Sequence, residues 1–485
     1  MKLYFSDFFD VSPEAIDKYG AFNISLLSDL PLFIDPFLLF NSEKDEYRDL
    51  HDDIIRYLRF LRDRAASGEL DLALIDNCYR FPEIRQNWLG FSFTGNRGSG
   101  LGKKFAHSLF SNLGRLFPDF GQEKISHGSH LEKLCLVAEG VGKDNISDFT
   151  TNLIHGYLLH YTQEFSAKNI DRKFLKRKAV NKVSFNYHTE TWEPKVFELP
   201  VFRGDYVLLT PRDILTKDDT WINKSDLLQN LADIPDVIPD AQLRAAANNY
   251  FRSQLSREPT KKEEREAALK TIFQYPELID YFIKYKEERG ERAVSISTEK
   301  VRISRELYIK QFSQLPELLN QHTNFYGVKG NTYEEAYERV RFLKDVIENK
   351  GGHRIFFMNG EPVQRETDIH ILYRLTWYAT LYDVSREVND GRGPADFKVS
   401  YGSQDKSLVE FKLAKNSQLK KNLKKQTIIY EKASDAKRSI KVIVYFSGLE
   451  RSRVLRILRQ LKMEDNPDVI LIDARNDNKP SGSKA

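Results

Sequence analysis

Two neighbouring runs near the end of the chain, residues 395–401 and 407–413, constrain the fold more than any other part of the sequence. Alternation of apolar and polar side chains with a period of two indicates β-strands in both. The residues YGSQDK, 401–406, join them and include the Gly and polar types that favour turns. The sequence therefore predicts two strands connected by a short turn.

The same alternation assigns the two faces of the second strand. Phe411 and its apolar neighbours two residues away are expected in a core, whereas Glu410 and Lys412 point the other way. Asp396 begins the partner strand, which brings a second carboxylate beside them. The sequence therefore predicts a small polar pocket that contains two acids and one ammonium.

Such a pocket suits the hydrolysis of phosphodiesters. Asp396 and Glu410 would hold Mg²⁺ or Mn²⁺ through oxygen ligands, and the ion would polarise the phosphate. Lys412 would orient the attacking water or neutralise charge that builds on the phosphate. Because enzymes supply on the order of 20 kcal/mol for these slow reactions, a lone lysine is not sufficient without the metal.

These residues resemble the motif of the PD-(D/E)xK nuclease superfamily. The PD of that motif appears as Pro394-Ala395-Asp396, with one residue inserted, and the ExK as Glu410-Phe411-Lys412. The resemblance covers about the last third of the chain. It implies a restriction-endonuclease-like domain in which a mixed sheet is flanked by helices and which cuts DNA with Mg²⁺ or Mn²⁺.

The segments on either side of the two strands extend the resemblance. In the helix before them, Glu366 stands where many members keep a carboxylate that supports the metal. After them, Gln426 and Tyr430 in QTIIY match the QxxxY pattern of the RecB-type branch. The resemblance implies that Gln426 contacts the site and that Tyr430 lies near the nucleic acid.

Less specific interpretations exist for several of these residues. The Glu410 and Lys412 pair could be a surface ion pair on a hairpin, and Glu366 an acid favoured in the first turn of a helix. His370, one turn after Glu366, is interpreted as a packed histidine, with a place in the pocket as the alternative. Two other E-x-K triplets, at 193–195 and 348–350, are set aside, because Pro194 interrupts a strand and the second lies at a helix end.

Basic charge is local rather than general. The net charge is only +4, yet residues 410–441 hold ten Lys or Arg against three acids. Such an excess attracts phosphate backbones, although a solvated helix face is the alternative for the lysines. The candidate nucleic-acid contacts are Arg392, Lys415, Lys420, Lys421, Lys424, Lys425 and Tyr430.

A chain of 485 residues exceeds one ordinary core. The fold class expected is a multidomain protein that is α/β and mainly helical. We predict a mixed α+β recognition or sensor domain, a helical connector, the nuclease domain and a flexible tail, at 1–220, 221–330, 331–475 and 476–485. Within them, helices are predicted at 46–65 and 332–350, and strands at 182–187, 195–199, 205–210 and 353–357.

The N-terminal half carries weaker signals. The Gly-rich segment 94–104 lacks the spacing of a phosphate-binding P-loop, so ATP hydrolysis is not indicated. Asp144 and Asp148 lie four residues apart, which suggests one helix face that binds a metal or a ligand, with N-capping as the alternative. Asp35 stands among apolar residues and is interpreted as a buried, hydrogen-bonded carboxylate.

The remaining composition narrows the class of protein. Two cysteines without a CxxC pair support neither a disulfide framework nor a zinc site. No signal peptide or membrane span is expected, which favours the cytoplasm. The function predicted is a Mg²⁺-dependent deoxyribonuclease, by resemblance a bacterial restriction or anti-phage defence effector. RNA as the substrate is not excluded, and the protein could form a homo-oligomer or bind a partner from a defence system. The alternative to a nuclease is a non-cleaving protein that binds nucleic acid or senses a ligand.

Overall fold

In the computed structural model the chain is a mixed α/β protein with several small sheets. The structure describes residues 3–27, 29–67, 74–90, 101–102, 105–107, 109–110, 113, 120–137, 142–217, 219–229, 238–256, 259–322, 331–358, 360–377, 382–389, 394–401, 405–424 and 438–479. None of the helices among them combines the length and the apolar character needed to cross a bilayer.

The helices and strands follow in chain order. The helices are α1 Phe5–Phe9, α2 Pro13–Tyr19, α3 Pro36–Phe40, α4 Asp45–Ala66, α5 Lys133–Val137, α6 Lys143–Leu153, α7 His155–Asn169, α8 Lys224–Gln229, α9 Ala241–Ser253, α10 Lys261–Gln274, α11 Glu277–Glu287, α12 Gly290–Arg305, α13 Gln314–His322, α14 Thr332–Asn349, α15 Glu366–Thr376 and α16 Gly448–Gln460. The strands are β1 Leu32–Ile34, β2 Leu175–Asn186, β3 Thr191–Phe202, β4 Asp205–Tyr206, β5 Leu215–Lys217, β6 Phe357–Met358, β7 Glu361–Pro362, β8 Asp383–Asn389, β9 Pro394–Tyr401, β10 Asp405–Leu413, β11 Arg438–Tyr445 and β12 Val469–Asp473.

The N-terminal part confirms the helix predicted at 46–65 and the small sheet. Helix α4 buries Ile54, Leu58 and Leu61, three members of the apolar stripe that its 3.6-residue periodicity predicts. Strands β2, β3 and β4 form an antiparallel sheet whose first two strands run well beyond the predicted bounds. The strand predicted at 205–210 is shorter in the structure, because β4 ends at residue 206 and residues 207–210 do not belong to it.

Pro194 lies inside β3, so the inference that it interrupts a strand is wrong. Glu193 pairs with Ser184 and Lys195 with Val180, which leaves a bulge in β2 opposite the proline. A bulge removes the ladder hydrogen bond that a proline cannot donate. Both charged members of this triplet are exposed, so they form no pocket.

Helices α8 to α13 follow, as the helical pattern predicted. The expected boundary at 232–242 falls partly outside the described residues, which omit 230–237. Helix α12 packs against the N-terminal part: Ser297 Oγ lies 3.2 Å from Thr216 Oγ1, and both residues are buried. The helical region therefore shares one continuous core with the residues before it.

A five-stranded sheet organises the C-terminal part, in the order β12-β11-β10-β9-β8. Strands β8, β9 and β10 pair antiparallel, whereas β10, β11 and β12 pair parallel. Helices α14 and α15 pack on one face. The other face carries Ile443 and Tyr445, which lie in an apolar cluster with residues of α16 and of the helical stretch 419–424.

The helix predicted at 332–350 is confirmed, but the strand predicted at 353–357 is wrong. Residues 352–356 form a 3₁₀-helix, and only Phe357 and Met358 pair, with Pro362 and Glu361. Gly351 adopts a left-handed φ of 79° after α14, which L side chains rarely adopt and which turns the chain sharply. The side chains at 353, 355 and 356 are all buried, so no strand-like alternation exists.

Asp35, Asp144 and Asp148 take different structural roles. Asp35 is buried and accepts hydrogen bonds from the N–H groups of Phe37 at 3.1 Å and Trp221 at 2.7 Å, as expected for a hydrogen-bonded carboxylate. At the start of α6, Asn145 rather than either aspartate accepts the N–H of Gly142. The N-cap residue of α6 is Gly142, so the capping interpretation of Asp144 and Asp148 is wrong.

Asp148 makes the stability of the N-terminal part depend on pH. Burial raises the pKa of its carboxyl from 3.8 to about 7, and Glu83 and Asp144 add to the rise. The folded chain holds this proton more tightly than the unfolded chain, so the free energy of unfolding falls as the pH rises from about 4 to about 7. We expect Asp148→Asn to remove this loss, with a gain of about 2 kcal/mol at pH 8 and little change near pH 4.

Thermal unfolding of Asp148→Asn and of the wild type at both pH values measures this effect. Asp52→Asn is the control, because that side chain is 85% exposed. Equal gains for Asp148→Asn at the two pH values would contradict the assignment.

A buried ion pair fixes α14 over the sheet. Arg339 Nε donates to Glu335 Oε1 at 2.8 Å, and each residue is only 2% exposed. The guanidinium also lies 4.3 Å from the ring centroid of Trp377. We expect Arg339→Met to lower the free energy of unfolding by about 3–5 kcal/mol, because it leaves the Glu335 carboxylate buried without this cation.

Urea unfolding monitored by circular dichroism measures the loss, and Arg341→Met on the same helix is the matched control. Arg341 is 61% exposed and pairs with Glu338 at 3.2 Å, so its removal is expected to cost no more than about 0.5 kcal/mol. Equal stability of the two variants would rule out a structural role for the buried pair.

Candidate functional site

The two predicted strands that carry the site are confirmed as the antiparallel pair β9 and β10. Their register runs from Tyr401 opposite Asp405 to Phe397 opposite Val409. Asp396 precedes Phe397 on β9, and its carboxylate oxygen Oδ2 accepts a hydrogen bond from the N–H of Phe411 on β10 at 2.6 Å. Asp396 therefore lies at the start of β9 beside the end of β10, as the sequence predicted.

Asp396 and Lys412 form the centre of the site. Lys412 Nζ lies 3.1 Å from Asp396 Oδ2 and 3.4 Å from Oδ1. Their side chains are 11% and 10% exposed. Asp396 and Lys412 therefore form a largely buried ion pair. The alternative of a surface ion pair between Glu410 and Lys412 does not fit, because Glu410 is buried as well.

Neighbouring groups keep both partners charged. Burial alone raises the pKa of the Asp396 carboxyl, yet His370, Lys412 and the N–H of Phe411 together hold that pKa well below its usual range. Burial lowers the pKa of Lys412, but the carboxylates of Asp396, Glu366 and Glu410 outweigh it and raise that pKa above its ordinary value. Lys412 is therefore an ammonium at neutral pH and supplies positive charge rather than a proton acceptor.

Glu366, at the first position of α15, joins this centre from the neighbouring helix. Its Oε2 lies 3.6 Å from Lys412 Nζ. Its Oε1 accepts the N–H of Leu413 at 3.1 Å and the amide of Asn416 at 2.8 Å. Asn416 was not singled out from the sequence, because a residue in the turn after a strand carries no periodic signal.

Glu410 is almost fully buried, with 1% of its surface exposed. The sequence expected its face of β10 to be polar and the Phe411 face to be apolar. The structure buries both faces of β10, since Leu408 and Glu410 on one face and Val409 and Phe411 on the other are all buried. In the neighbouring strand β11, Lys441 lies beside Glu410. The carboxylate of Glu410 therefore acts on Lys412 in a region of low exposure, where charges interact strongly.

His370 lies closer to the site than its interpretation as a packed histidine implied. Its Nε2 is 3.3 Å from Asp396 Oδ2, and its ring meets Phe397 edge-on with centroids 5.7 Å apart. The residue is both packed and in contact with the site. Its spacing of four residues from Glu366 on α15 was the signal for this position.

The structure describes some of the remaining candidate residues and leaves the others outside the described ranges. Lys420, Lys421 and Lys424 are exposed on the helical stretch 419–424, whose Leu419 and Leu423 are buried. Lys415 is half-buried, and its ammonium donates to Gln364 Oε1. The candidates that lie outside the described residues are Arg392, Lys425, Gln426 and Tyr430.

Helix α15, which supplies Glu366 and His370, is anchored to distant parts of the chain. Asp368 on this helix accepts a hydrogen bond from Tyr308 Oη at 2.7 Å and lies 3.7 Å from Lys217 Nζ. Arg374, near the end of the helix, contacts the carbonyl of Leu27. The N-terminal and helical parts therefore help to position the site.

The donors of the site suit a divalent cation by type, although their arrangement does not form a ready shell. Asp396, Glu410 and Glu366 all offer carboxylate oxygens, the ligands that Mg²⁺ prefers. In the part of the chain that the structure describes, no three His, Cys, Asp or Glu side chains are arranged to hold a metal ion. The ammonium of Lys412 contacts two of the acids, so an entering cation has to compete with it.

Comparisons with known proteins identify two domains. Residues 10–223 match the family described as Domain of unknown function (DUF8370), and residues 332–448 match Domain of unknown function (DUF8371). No curated protein and no solved structure matches the chain. The second matched range contains the whole of α15, β9 and β10, which carry the site.

Proposed function

We propose that this protein is a metal-dependent nuclease that hydrolyses phosphodiester bonds of DNA. The observation that carries the proposal is the buried contact of Lys412 Nζ with Asp396 at 3.1 Å, beside Glu366 at 3.6 Å and the buried Glu410. An ammonium among carboxylates at the end of a mixed sheet is the arrangement that the PD-(D/E)xK resemblance implies. A restriction or anti-phage defence role rests on that resemblance alone.

Each residue has a role that follows from its contacts. Asp396, Glu410 and Glu366 would hold Mg²⁺ or Mn²⁺, which when bound supplies Lewis-acid activation of the phosphate and of the attacking water. Lys412 neutralises charge that develops on the phosphate, because its raised pKa keeps it protonated. His370 and the N–H of Phe411 position Asp396.

A second candidate function is a nucleic-acid-binding protein that does not cleave. The observation that favours it is the contact of Lys412 with both Asp396 oxygens, which occupies a carboxylate that a metal needs. In that case the basic residues after β10 bind the phosphate backbone and the buried ion pair has a structural role.

Incubation with labelled linear, circular and single-stranded DNA and with RNA separates the two functions. Each reaction contains Mg²⁺, Mn²⁺ or EDTA. Fragments that appear with the metal and disappear in EDTA support the nuclease. Binding without fragments under every metal condition supports the alternative, and cutting of RNA alone would correct the substrate class.

A further inference from the structure

A cleft of about 660 Å³ opens beside the site, between the N-terminal part and the C-terminal sheet. The N-terminal part contributes Phe33 from β1 and Lys143 from the start of α6. The C-terminal part contributes Arg365, Glu366 and Lys415 among others. Because Glu366 also contacts Lys412 Nζ at 3.6 Å, the cleft adjoins the proposed catalytic centre.

The charges of this cleft suit an anion. Three basic side chains line it, those of Lys143, Arg365 and Lys415, against two acids, Asp144 and Glu366. Glu366 is turned towards the site, where it contacts Lys412 and accepts hydrogen bonds from the N–H of Leu413 and from Asn416. The lining of the cleft therefore carries one more basic than acidic side chain.

The backbone adds to this potential from two directions. Helices α6 and α15 both begin at the cleft, through Lys143 and Glu366. Arg365, which precedes α15, provides no side-chain cap for the first N–H groups. The positive ends of the two helix dipoles therefore reinforce the three cations.

We propose that this cleft binds the phosphate backbone of a single nucleic-acid strand beside the scissile phosphate. Lys143 is the contact from the N-terminal part, opposite Arg365 and Lys415. The inference rests on the proposed nuclease function and gives the N-terminal part a share in substrate binding. The volume favours one strand, because about 300–1,000 Å³ is the size of a pocket for a small ligand and is too small to enclose a duplex.

The floor of the cleft supports this placement of Lys143. Its ammonium lies 5.0 Å from the ring centroid of Phe33, which is 3% exposed. The ring attracts the cation, which helps to hold the ammonium at the wall of the cleft. Lys143 is therefore already placed at the cleft by its packing on Phe33.

Fluorescence anisotropy with a labelled single-stranded oligodeoxynucleotide of about 20 nucleotides, long enough for typical single-strand sites, tests the proposal in EDTA, where nothing is cut. We expect Lys143→Gln to weaken binding about fivefold or more at low salt. The slope of log K against log salt is expected to fall by about 0.7, the value for one lost phosphate contact on a single strand.

Two further variants exclude indirect effects. Lys143→Arg keeps the charge and is expected to restore binding to within about twofold, whereas a merely structural lysine gives no such rescue of the salt slope. Lys168→Gln is the matched control, because Lys168 is exposed in the last turn of α7 in the same part of the chain. Its affinity and salt slope are expected to equal those of the wild type.

The outcomes separate the cleft from the catalytic proposal. If the wild type cuts DNA but Lys143→Gln has the same affinity and the same salt slope as the wild type, the cleft proposal alone is overturned. If the wild type binds without cutting and Lys143→Gln weakens binding, the cleft stands and the nuclease proposal falls. If the wild type neither binds nor cuts, both are overturned.

Discussion

Lys412→Met is expected to reduce the rate of DNA cleavage by roughly 10²–10³-fold or more, the loss seen when one charge-stabilising donor is removed from an active site. The side chain of methionine keeps most of the volume of lysine but removes the ammonium that lies 3.1 Å from Asp396. Substrate binding is expected to change little, because Lys412 acts on the reacting phosphate. The decrease should therefore appear in kcat.

The same substitution has a second consequence that a structural role alone would not produce. Without the ammonium, the carboxylates of Asp396, Glu366 and Glu410 repel one another, and they are expected to bind a divalent cation more readily. Mg²⁺ should therefore raise the Tm of Lys412→Met more than that of the wild type, because ligand binding to the folded state stabilises it.

Single-turnover cleavage and thermal unfolding with and without Mg²⁺ measure the two effects. Lys406→Met is the matched control, because Lys406 stands on the same strand and face, six residues or roughly 20 Å away. It is expected to cut at the wild-type rate. If Lys412→Met cuts DNA at the wild-type rate, the proposed mechanism is wrong. If Mg²⁺ raises the Tm of Lys412→Met and of the wild type equally, no metal binds among these acids.

The sequence predicted the part of the site that depends on local periodicity. Period-two alternation placed Glu410 and Lys412 on one face of β10. The spacing of four residues from Glu366 offered the pocket for His370 only as the alternative to a packed histidine. Asp396 also lies where the strand pairing required. These positions follow from backbone geometry within a few residues, which a sequence displays directly.

Contacts between distant segments could not be predicted in the same way. Asp368 meets Tyr308, 60 residues earlier, and Lys217 of the N-terminal part. Lys143 reaches the cleft beside Glu366 only because the two parts pack together. No periodic pattern encodes such pairings, since they depend on how separate elements dock.

Two local predictions failed because tertiary packing overrode propensity. The apolar residues at 353–357 suggested a strand, but Ile355 and Phe356 are both buried in a 3₁₀-helix that follows the left-handed Gly351. Pro194 suggested an interruption, but a bulge in the partner strand accommodates it. In both cases the competing signal lay in another segment of the chain.

Asp396→Asn is the second substitution expected to have a large effect, on both cleavage and stability. It removes the charge that faces Lys412 at 3.1 Å and His370 at 3.3 Å, while it keeps the shape of the side chain. Cleavage is expected to fall by about 10²-fold or more, because the site loses a proposed metal ligand and the partner that positions Lys412.

The stability effect should depend on pH in a defined direction. Because the folded pKa of Asp396 is held below its ordinary value of 3.8, its charge stabilises the folded chain above that value. The wild type should exceed Asp396→Asn by on the order of 2 kcal/mol at pH 7. This difference should shrink as the pH falls below about 4, where the unfolded carboxyl becomes protonated and the charged folded form loses its advantage.

Urea unfolding at pH 7, 5 and 3.5, together with cleavage at pH 7, tests both effects. Asp405→Asn is the control, because Asp405 lies at the other end of the strand pair and accepts hydrogen bonds from Thr332 N at 2.9 Å and Oγ1 at 2.7 Å. That variant is expected to lose some stability and keep its cleavage rate. A pH-independent stability difference for Asp396→Asn would show that the aspartate has the same pKa in the folded and unfolded chain, and a difference that grows as the pH falls would show that it is protonated in the folded protein. With either result the buried ion pair at the centre of the site would have to be discarded.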